Sequence, residues 1–270
     1  MPTVAPAPAP TAASAAPRLL PLGDAAWTVE FGTTIDPAIH RRVLGFASLL
    51  DALAGDGRLE GVSEWVPSFC SLTVHFDPLR IAPEALAAIL RDLAERPVSV
   101  AAHGSRWRIP VCFEGDCAPD LADLAASRGL APEAVVRLMT ETVFTVYMLG
   151  FLPGFPYLGG LPAALDMPRL ASPRKVVPAR SIAVAGGMCA AYPWESPGGW
   201  RLLGRTPVRL FDPANPRRPA LLAPGDEVCW QAVDAATFAD LDARCARGEF
   251  DLSSLLGAPA AAAVPLEVAA

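Results

Sequence analysis

The stretch from residue 150 to residue 207 decides the fold of this chain, and it contains three segments rich in glycine and proline. They read GFLPGFPYLGGLP (150–162), PRKVVPARSIAVAGG (173–187) and YPWESPGGWRLLGRTP (192–207). Glycine permits positive φ and close backbone approach, whereas proline fixes φ and lacks a backbone donor. Dense alternation of the two specifies loops of defined shape. Aromatic and charged side chains on such loops make this stretch the best candidate for a functional site.

Short apolar runs around these loops predict a region built mainly of β-strands. Many short strands separated by turn residues are typical of a barrel or a sandwich, not of a doubly wound sheet. The pattern predicts helices and strands in the C-terminal part of the chain: strands at 106–112, 144–151, 181–185, 188–192, 200–203, 208–211 and 227–231, and helices at 120–128, 132–140 and 236–247.

Strands and helices alternate in the N-terminal part. Asp36 and Pro37 are typical of a helix start, as N-cap and first-turn residue, and Pro83 opens a second helix in the same way. The strands that complete this β-β-α-β-β-α-β order are expected at 18–22, 27–31, 59–66, 70–76 and around 97–100.

These patterns together predict an α+β protein. A two-layer α+β domain is expected at 18–103, followed by a β-barrel domain at 104–235 and a C-terminal helical segment at 236–256. The Ala/Pro-rich ends, 1–17 and 257–270, are predicted to be disordered tails.

Composition narrows the class of protein. The net charge of −6 and the pI near 5.1 argue against a nucleic-acid partner. No apolar run is long enough to span a membrane, and the N-terminal tract lacks the features of a secretory signal. The six cysteines include no C-x-x-C pair, which favours free thiols in the cytoplasm over disulfides or a metal site.

The glycine/proline region also concentrates positive charge, in Arg174, Lys175, Arg180, Arg201 and Arg205. The two glycines of the SPGGW run either present backbone N–H groups in an anion-binding nest or form a simple β-turn. An acidic protein with a cationic, glycine-rich segment is what an anionic substrate or a phosphate group would need.

Individual side chains in this region have two interpretations each. Glu195 lies beside tryptophan and proline, and it either acts as a general acid or base with a raised pKa or pairs with an arginine. Lys175 is the chain's single lysine, which reflects either codon bias or a need for a compact cation. Cys189 is expected to be a buried strand residue because no histidine is near it in sequence.

The three segments resemble the 5-oxoprolinase B-subunit family, also called allophanate hydrolase subunit 1, which includes the sporulation-kinase inhibitor KipI. The upstream runs VPSFCSLTVHFDP (66–78) and RIPVCFEGDCAPDLADLAASRGLAPEAVVRLM (108–139) resemble the preceding family blocks in the same order. The likeness implies that the barrel is cyclophilin-like. It also implies that the chain works with a homologous C-type subunit, and in the 5-oxoprolinase system with an amidohydrolase-like A-type subunit.

The resemblance implies ATP-dependent opening of a cyclic amide, with ATP and Mg²⁺ bound together with the partner protein. Arg174, Lys175 and Arg205 would stabilise phosphoryl or carboxylate charge, and Glu195 would handle a proton. The expected substrate-binding residues are Tyr157, Tyr192, Ser196, Gly198, Gly199, Trp200 and Thr206. Two other functions stay open: a KipI-like inhibitor of a sensor histidine kinase, and a carboxyltransferase-like component of a urea or amide carboxylase.

The chain departs from the family pattern at three places. Met139 stands where a histidine is usual, and Arg180 stands where VPAGS has glycine. Met188 and Cys189 fall in a stretch that usually resembles GGQTG. The loss of hydrogen-bonding groups changes what a cavity can bind, so we expect either an altered substrate or lost catalysis.

Overall fold

The computed structural model describes residues 16–97, 104–216 and 218–257. The chain divides into two compact units, Met1–Ala101 and Ala102–Ala270. The predicted tails lie almost entirely outside the described residues, and so does the strand expected around 97–100.

The described part of the first unit is an antiparallel sheet with helices packed on it. Its elements are β1 (Arg18–Pro21), β2 (Ala26–Glu30), α1 (Pro37–Gly55), β3 (Val62–Pro67), β4 (Ser71–Phe76) and α2 (Pro83–Glu95). The sheet order is β1-β2-β4-β3. Asp36 caps α1 as predicted, because its Oδ1 accepts hydrogen bonds from the backbone N–H groups of Ala38 and Ile39 at 2.7 and 3.1 Å.

Strand β4 shows why this unit has two layers. Leu72, Val74 and Phe76 alternate with more exposed residues and are buried, as expected when one face of a strand meets the core. They share a core with the apolar faces of α1 and α2 (Ile39, Val43, Phe46 and Leu50 from α1; Leu86, Leu90 and Leu93 from α2).

The second unit is built around a closed barrel. Its helices are α3 (Leu121–Arg128), α4 (Pro132–Glu141) and α5 (Ala235–Arg247). Its strands are β5 (Arg106–Cys112), β6 (Val143–Leu149), β7 (Pro156–Gly159), β8 (Arg174–Val177), β9 (Ser181–Ala185), β10 (Met188–Ala191), β11 (Ser196–Gly198), β12 (Arg201–Arg205) and β13 (Glu227–Val233).

Among the described residues, seven of these strands close in the order β10-β7-β6-β13-β5-β12-β9, and β8 pairs with β11 in a separate small sheet. Strands β5 and β13 are parallel, and the other neighbours in the barrel are antiparallel. The predicted α+β class, with a barrel after a two-layer domain, is confirmed.

The two faces of β9 belong to different cores. Ile182 and Val184 join the main core of the unit, with residues from β5, β6, β12 and β13 and from helices α3 and α4. Ala183 and Ala185 point to the opposite face and join a second core that contains several aromatic rings. The small alanine side chains leave room for those rings on the outer face of the barrel.

The strand predictions need correction at four places. Residues 208–211 do not form a strand: Phe211 makes only an isolated bridge to Ala220. The alternating burial of Val208 and Leu210 gave a strand pattern without a neighbouring strand for the backbone. Conversely, β7, β8 and β11 were missed. β7 and β11 each contain proline (Pro156 and Pro197), which is found in strands mainly at edges and first positions, and the short β8 lies between Pro173 and Pro178.

Candidate functional site on the outer face of the barrel

An aromatic cluster brings together all three glycine/proline segments. Phe155 lies at its centre, with ring centroids 5.0 Å from Tyr157, 5.0 Å from Tyr192 and 6.3 Å from Trp200. The rings meet edge to face or tilted, as the quadrupoles of aromatic rings favour. The second segment supplies Val177 of β8 and the alanines of β9. The segments therefore form one structure, as their shared composition suggested.

Most of the cluster is buried, and Tyr157 is its accessible ring. Phe155, Tyr192 and Trp200 are buried, whereas Tyr157 is half-buried. Burial raises the pKa of both tyrosine hydroxyls, and the nearby Arg169 partly opposes this at each of them. Both phenols therefore keep their protons at neutral pH, so that Tyr157 can donate a hydrogen bond to a ligand.

Gly198 is required by the packing of this cluster. A Cβ atom at this position would lie 2.3 Å from the Tyr192 hydroxyl oxygen, far inside van der Waals contact. Neither Gly198 nor Gly199 has a left-handed φ. Strand β11 instead pairs with β8, with Ser196 opposite Val177 and Gly198 opposite Arg174. The anion-binding nest proposed from the sequence is therefore not formed by these glycines, and the simple turn is replaced by a short strand.

The predicted cation Arg174 is held in a structural clamp. Its Nη2 donates to Oδ1 of the buried Asp120 at 2.5 Å, and its Nη1 lies 3.4 Å from the Trp200 carbonyl oxygen. The other Asp120 oxygen accepts from the Leu202 backbone N–H at 2.6 Å. Arg174 thus ties β8 to β12 and to the start of α3, and its charge is compensated by Asp120.

Two other cations are exposed, one on strand β8 and one against a ring of the cluster. Lys175 is exposed, and it has no hydrogen-bond or ion-pair partner among the described residues. Arg169, which the sequence reasoning missed, is exposed and lies 5.8 Å from the centroid of the Trp200 ring. Its position shortly before the second glycine/proline segment is the sequence feature that could have identified Arg169 as a candidate site residue. A bound anion could approach both cations from solvent.

Arg205 and Thr206 belong to a different group of contacts. The Nε of Arg205 donates to the Ala179 carbonyl at 3.0 Å, and the fully buried Thr206 accepts from the Val208 N–H at 3.2 Å. The backbone N–H of Thr206 donates to the Arg180 carbonyl at 3.0 Å. These contacts shape the loop after β8, and the structure does not bring Arg205 and Thr206 into the aromatic cluster.

Arg180 occupies a strained backbone position. Its φ is +69°, in the left-handed region that favours glycine, which accounts physically for the glycine in the related motif. Its Nη1 donates to the Pro207 carbonyl at 2.8 Å and also to Oδ1 of Asp242 on α5. The arginine thus attaches the final helix to this loop, at the cost of a strained φ.

Three of the predicted polar side chains, Glu195, Ser196 and Arg201, form no ion pair within the described residues and differ in their exposure to solvent. Glu195 is exposed, so the burial that the acid–base interpretation assumed is absent in the chain alone. Ser196 is buried, and its Oγ has no hydrogen-bond partner among the described residues. The half-buried Arg201 has a buried Nε that also lacks a partner there. Buried polar atoms of this kind are uncommon in native proteins and call for an explanation.

Phe151 combines strain with exposure. Its φ is +67°, and the Leu152 N–H donates to the Gly150 carbonyl at 2.8 Å, which closes a γ-turn around it. The side chain is 61% exposed while its ring contacts Phe155 edge to face at 5.4 Å. Strain of this kind is concentrated at functional sites.

The departures from the family pattern lie in different places. Met139 is fully buried in the main core of the barrel unit, where an apolar side chain fits. Cys189 is a buried strand residue, as expected, and burial raises the pKa of its thiol to about 12. Met188 is half-buried against the aromatic cluster, so this departure changes the surface of the candidate site.

Metal ligands and membrane-spanning helices are both absent from the described residues. No group of three or more His, Cys, Asp and Glu side chains in this part of the chain is arranged to hold a metal ion. Within the same residues, no helix is both long and apolar enough to cross a membrane. The six cysteines are free thiols.

The fold and the site define a class of protein: an α+β chain whose barrel carries an aromatic, cation-rimmed surface on its outer face. The sequence model described as "Carboxyltransferase domain, subdomain C and D" matches residues 17–222. The chain belongs to this carboxyltransferase-domain family, and the resemblance stated from its motifs is confirmed.

Relatives within the family are similar over most of the chain. A Bacillus subtilis protein named as the B subunit of 5-oxoprolinase is 38% identical over 219 residues, which cover 77% of this chain and 89% of that protein. The protein in the crystal structure of TTHA0988 has 36% sequence identity to this chain and superposes on it with a TM-score of 0.68. The match covers 78% of this chain and 40% of the TTHA0988 chain. The chain therefore spans about two fifths of the TTHA0988 chain.

A more distant structure shows the fold alone. The Kluyveromyces lactis urea amidolyase is 21% identical with a TM-score of 0.71, over 87% of this chain and 16% of that protein.

Proposed function

We propose that this chain is the B-type subunit of an ATP-dependent 5-oxoprolinase-like hydrolase, with an active site completed by a homologous C-type subunit. The observation that supports it best is the convergence of the three glycine/proline segments in one aromatic cluster, in a chain whose relative is named for this activity. The reaction class comes from the relative's name. The geometry of the aromatic cluster supports this surface as the part of the chain that would contact the substrate.

The chemistry of 5-oxoproline suits the accessible side of the cluster. The substrate carries a carboxylate, a small apolar ring and an amide oxygen. Lys175 and Arg169 are cations without ion-pair partners among the described residues, and they can attract the carboxylate. The half-buried Tyr157 keeps its proton and can donate to the amide oxygen. Arg174 would position β8 and the Trp200 backbone and would not contact substrate.

The described residues contain neither a preformed metal cage nor a phosphate-binding nest at Gly198 and Gly199. No set of three potential metal ligands exists among them, and Gly198 and Gly199 lack the conformation of a phosphate-binding nest. We therefore propose that ATP is held mainly by the C-type partner. The exposed Glu195, at the edge of the cluster region, would act on a proton only once the partner covers it.

The exposed aromatics favour one second candidate, a non-catalytic binding protein. Phe151 and Trp194 are 61% and 41% exposed, and such side chains are enriched at interaction surfaces. In this case the cluster would support a protein-docking surface without turning over a substrate.

The deciding experiment is a reconstituted assay. The chain is co-expressed with the C-type and A-type proteins of its own genome, and ATP turnover is measured with and without 5-oxoproline. We expect lactam-stimulated turnover that falls at least about tenfold in Tyr157→Phe and in Lys175→Gln, since each removes about 1.4 kcal/mol or more of transition-state stabilisation. Arg137→Gln, an exposed arginine on α4, is the matched control and should leave turnover unchanged.

Each outcome is decisive. A stable complex that hydrolyses no ATP with 5-oxoproline would reject the proposed substrate. Absence of any complex would reject the two-subunit arrangement and leave the docking function in place. Full activity in both cluster variants would show that the catalytic surface lies elsewhere.

A further inference from the structure

A second site in the barrel unit is a cavity of about 450 Å³, none of whose lining residues belongs to the aromatic cluster. One wall is formed by residues between 209 and 221, and the other by the last turn of α5 and the segment up to residue 256. Its volume is within the range of roughly 300–1,000 Å³ that is typical of small-molecule sites.

The charges on its walls favour an anion. Arg209 and Arg218 both line the cavity, against the single carboxylate of Asp212. Arg209 is exposed and has no hydrogen-bond or ion-pair partner within the described part of the chain. Asp212 is engaged locally, since its Oδ1 accepts from the Ala214 N–H at 3.0 Å. The side chains lining the cavity therefore carry a net positive charge, part of which the nearby Asp226 offsets at Arg218.

Arg218 is preorganised for such a role. Its guanidinium lies 4.9 Å from the centroid of the Trp107 ring, and its Nη2 donates to the Leu221 carbonyl at 2.9 Å and lies 3.9 Å from Oδ2 of Asp226. Trp107 is itself fixed, because its indole N–H donates to the buried Asp226 at 2.9 Å. An arginine stacked on a held aromatic ring loses little conformational freedom when it binds a carboxylate.

Most of the remaining lining is apolar, and Asn215 and Ser253 add two uncharged polar side chains. Leucine, proline and aromatic side chains form the floor and sides of the cavity (Trp107, Pro219, Leu221, Phe250, Leu252 and Leu256). Cys245 adds a neutral thiol, since burial raises its pKa. Small-molecule sites combine such a lining with a few polar groups that fix the orientation of the ligand.

The second wall of the cavity lies outside the region that the family model matches. The family match ends at residue 222, whereas the second wall runs from Cys245 to Leu256. The site therefore combines residues of the matched region with the C-terminal segment of this chain, and it stands independently of the function proposed above.

We propose that this cavity binds a small carboxylate that carries an apolar body about the size of a benzene ring. The carboxylate lies between Arg209 and Arg218, and the apolar body packs on Trp107 and the leucines opposite. This arrangement matches two guanidinium groups to one carboxylate and keeps the apolar part of the ligand out of water.

Benzoate and its neutral analogue benzamide test the proposal, by calorimetric titration of the full-length chain at low salt. We expect saturable benzoate binding to the unmodified protein and benzamide binding at least about tenfold weaker, because a charge-assisted hydrogen bond contributes roughly a factor of ten or more. Arg209→Gln should weaken benzoate about tenfold without changing benzamide. Leu252→Trp, which fills the cavity, should weaken both ligands.

Arg137→Gln is the matched control, since it makes the same charge change on an exposed arginine of α4. It should leave benzoate affinity unchanged. The proposal is overturned if the unmodified protein shows no saturable benzoate binding, if benzoate and benzamide bind equally, or if Arg137→Gln weakens benzoate as much as Arg209→Gln. Circular dichroism of each variant verifies that the fold is retained.

Discussion

The Asp120–Arg174 clamp allows a prediction whose size follows from the structure. In Asp120→Ala, the Leu202 N–H loses its acceptor at 2.6 Å and Arg174 loses its ion-pair partner at 2.5 Å. An unsatisfied buried N–H costs about 1–3 kcal/mol. The Arg174 side chain is 28% exposed, so water replaces part of its lost interaction, and we assign about 1 kcal/mol to it. The expected loss of unfolding free energy is about 2–4 kcal/mol.

The variant series separates these contributions. Asp120→Asn keeps an acceptor for Leu202 and removes only the charge, so it should cost about 1 kcal/mol. The double variant Asp120→Ala/Arg174→Met should recover about 1 kcal/mol relative to the sum of the single variants. Asp123→Ala, an exposed aspartate in the first turn of the same helix, is the matched control and should cost about 0.5 kcal/mol or less.

The assay is urea denaturation followed by circular dichroism and tryptophan fluorescence, with the midpoint and the slope compared for every variant. The chain has two units, so the loss should affect the transition that reports the barrel unit. In a parallel thermal denaturation, the Tm of that transition should fall by roughly 5–15 °C. The reasoning would be refuted by a cost below about 1 kcal/mol for Asp120→Ala, or by equal costs for Ala and Asn at this position.

Three further predictions concern backbone positions in the candidate site. Arg180→Gly relieves the strain of the positive φ but loses the ion pair to α5, so the stability of this variant should stay within about 0.5 kcal/mol of the original. Arg180→Ala loses the ion pair and keeps the strain, so it should lose about 1–2 kcal/mol. Thermal denaturation compares the two variants, and equal losses of stability would contradict this expectation. Gly198→Ala should lower the free energy of unfolding by about 1–3 kcal/mol, because the new Cβ atom would clash with the Tyr192 hydroxyl. Gly199→Ala is the control: the nearest atoms to a Cβ there lie at 3.7 Å or more, so its stability should be nearly unchanged. Unchanged stability of Gly198→Ala in the same assay would refute the close approach. Phe151→Gly should leave stability unchanged or raise it by up to about 1 kcal/mol, because glycine tolerates the positive φ. The same change removes an exposed aromatic ring, so it should weaken binding of the C-type partner about tenfold or more in a pull-down titration. Unchanged binding would show that Phe151 does not belong to the interface.

The order and type of most elements could be predicted from the sequence, because local signals determine them. The cap at Asp36, the prolines at helix starts and the alternation in β4 act over a few residues, and each was read correctly. The closure of the barrel could not be derived in this way. It depends on the parallel pairing of β5 with β13, which are more than a hundred residues apart in the chain, and no local pattern specifies that register.

The candidate site was predictable as a region but not residue by residue. Aromatic side chains and glycines in the three segments marked Tyr157, Tyr192 and Gly198 correctly as neighbours in space. The sequence could not show that Arg174 is already paired, because its partner Asp120 lies on another element 54 positions away. It also could not show that Lys175 and Arg169 are the available cations, since pairing in space decides which charges remain available.

Among the described residues, strained backbone positions and buried polar atoms without partners are concentrated in residues 150–207. This concentration argues that the segment is shaped by function more than by stability. Both non-glycine residues with positive φ in the described chain, Phe151 and Arg180, lie there. Two of the three buried polar atoms without a hydrogen-bond partner in the described residues, Ser196 Oγ and Arg201 Nε, lie there too. The third, Trp230 Nε1, lies in the main core of the barrel unit. A chain selected only for stability would remove such costs. Their concentration in one segment is explained if a ligand or partner supplies the missing contacts, and an acceptor placed against the Arg201 guanidinium is the contact that the chain alone leaves unmade.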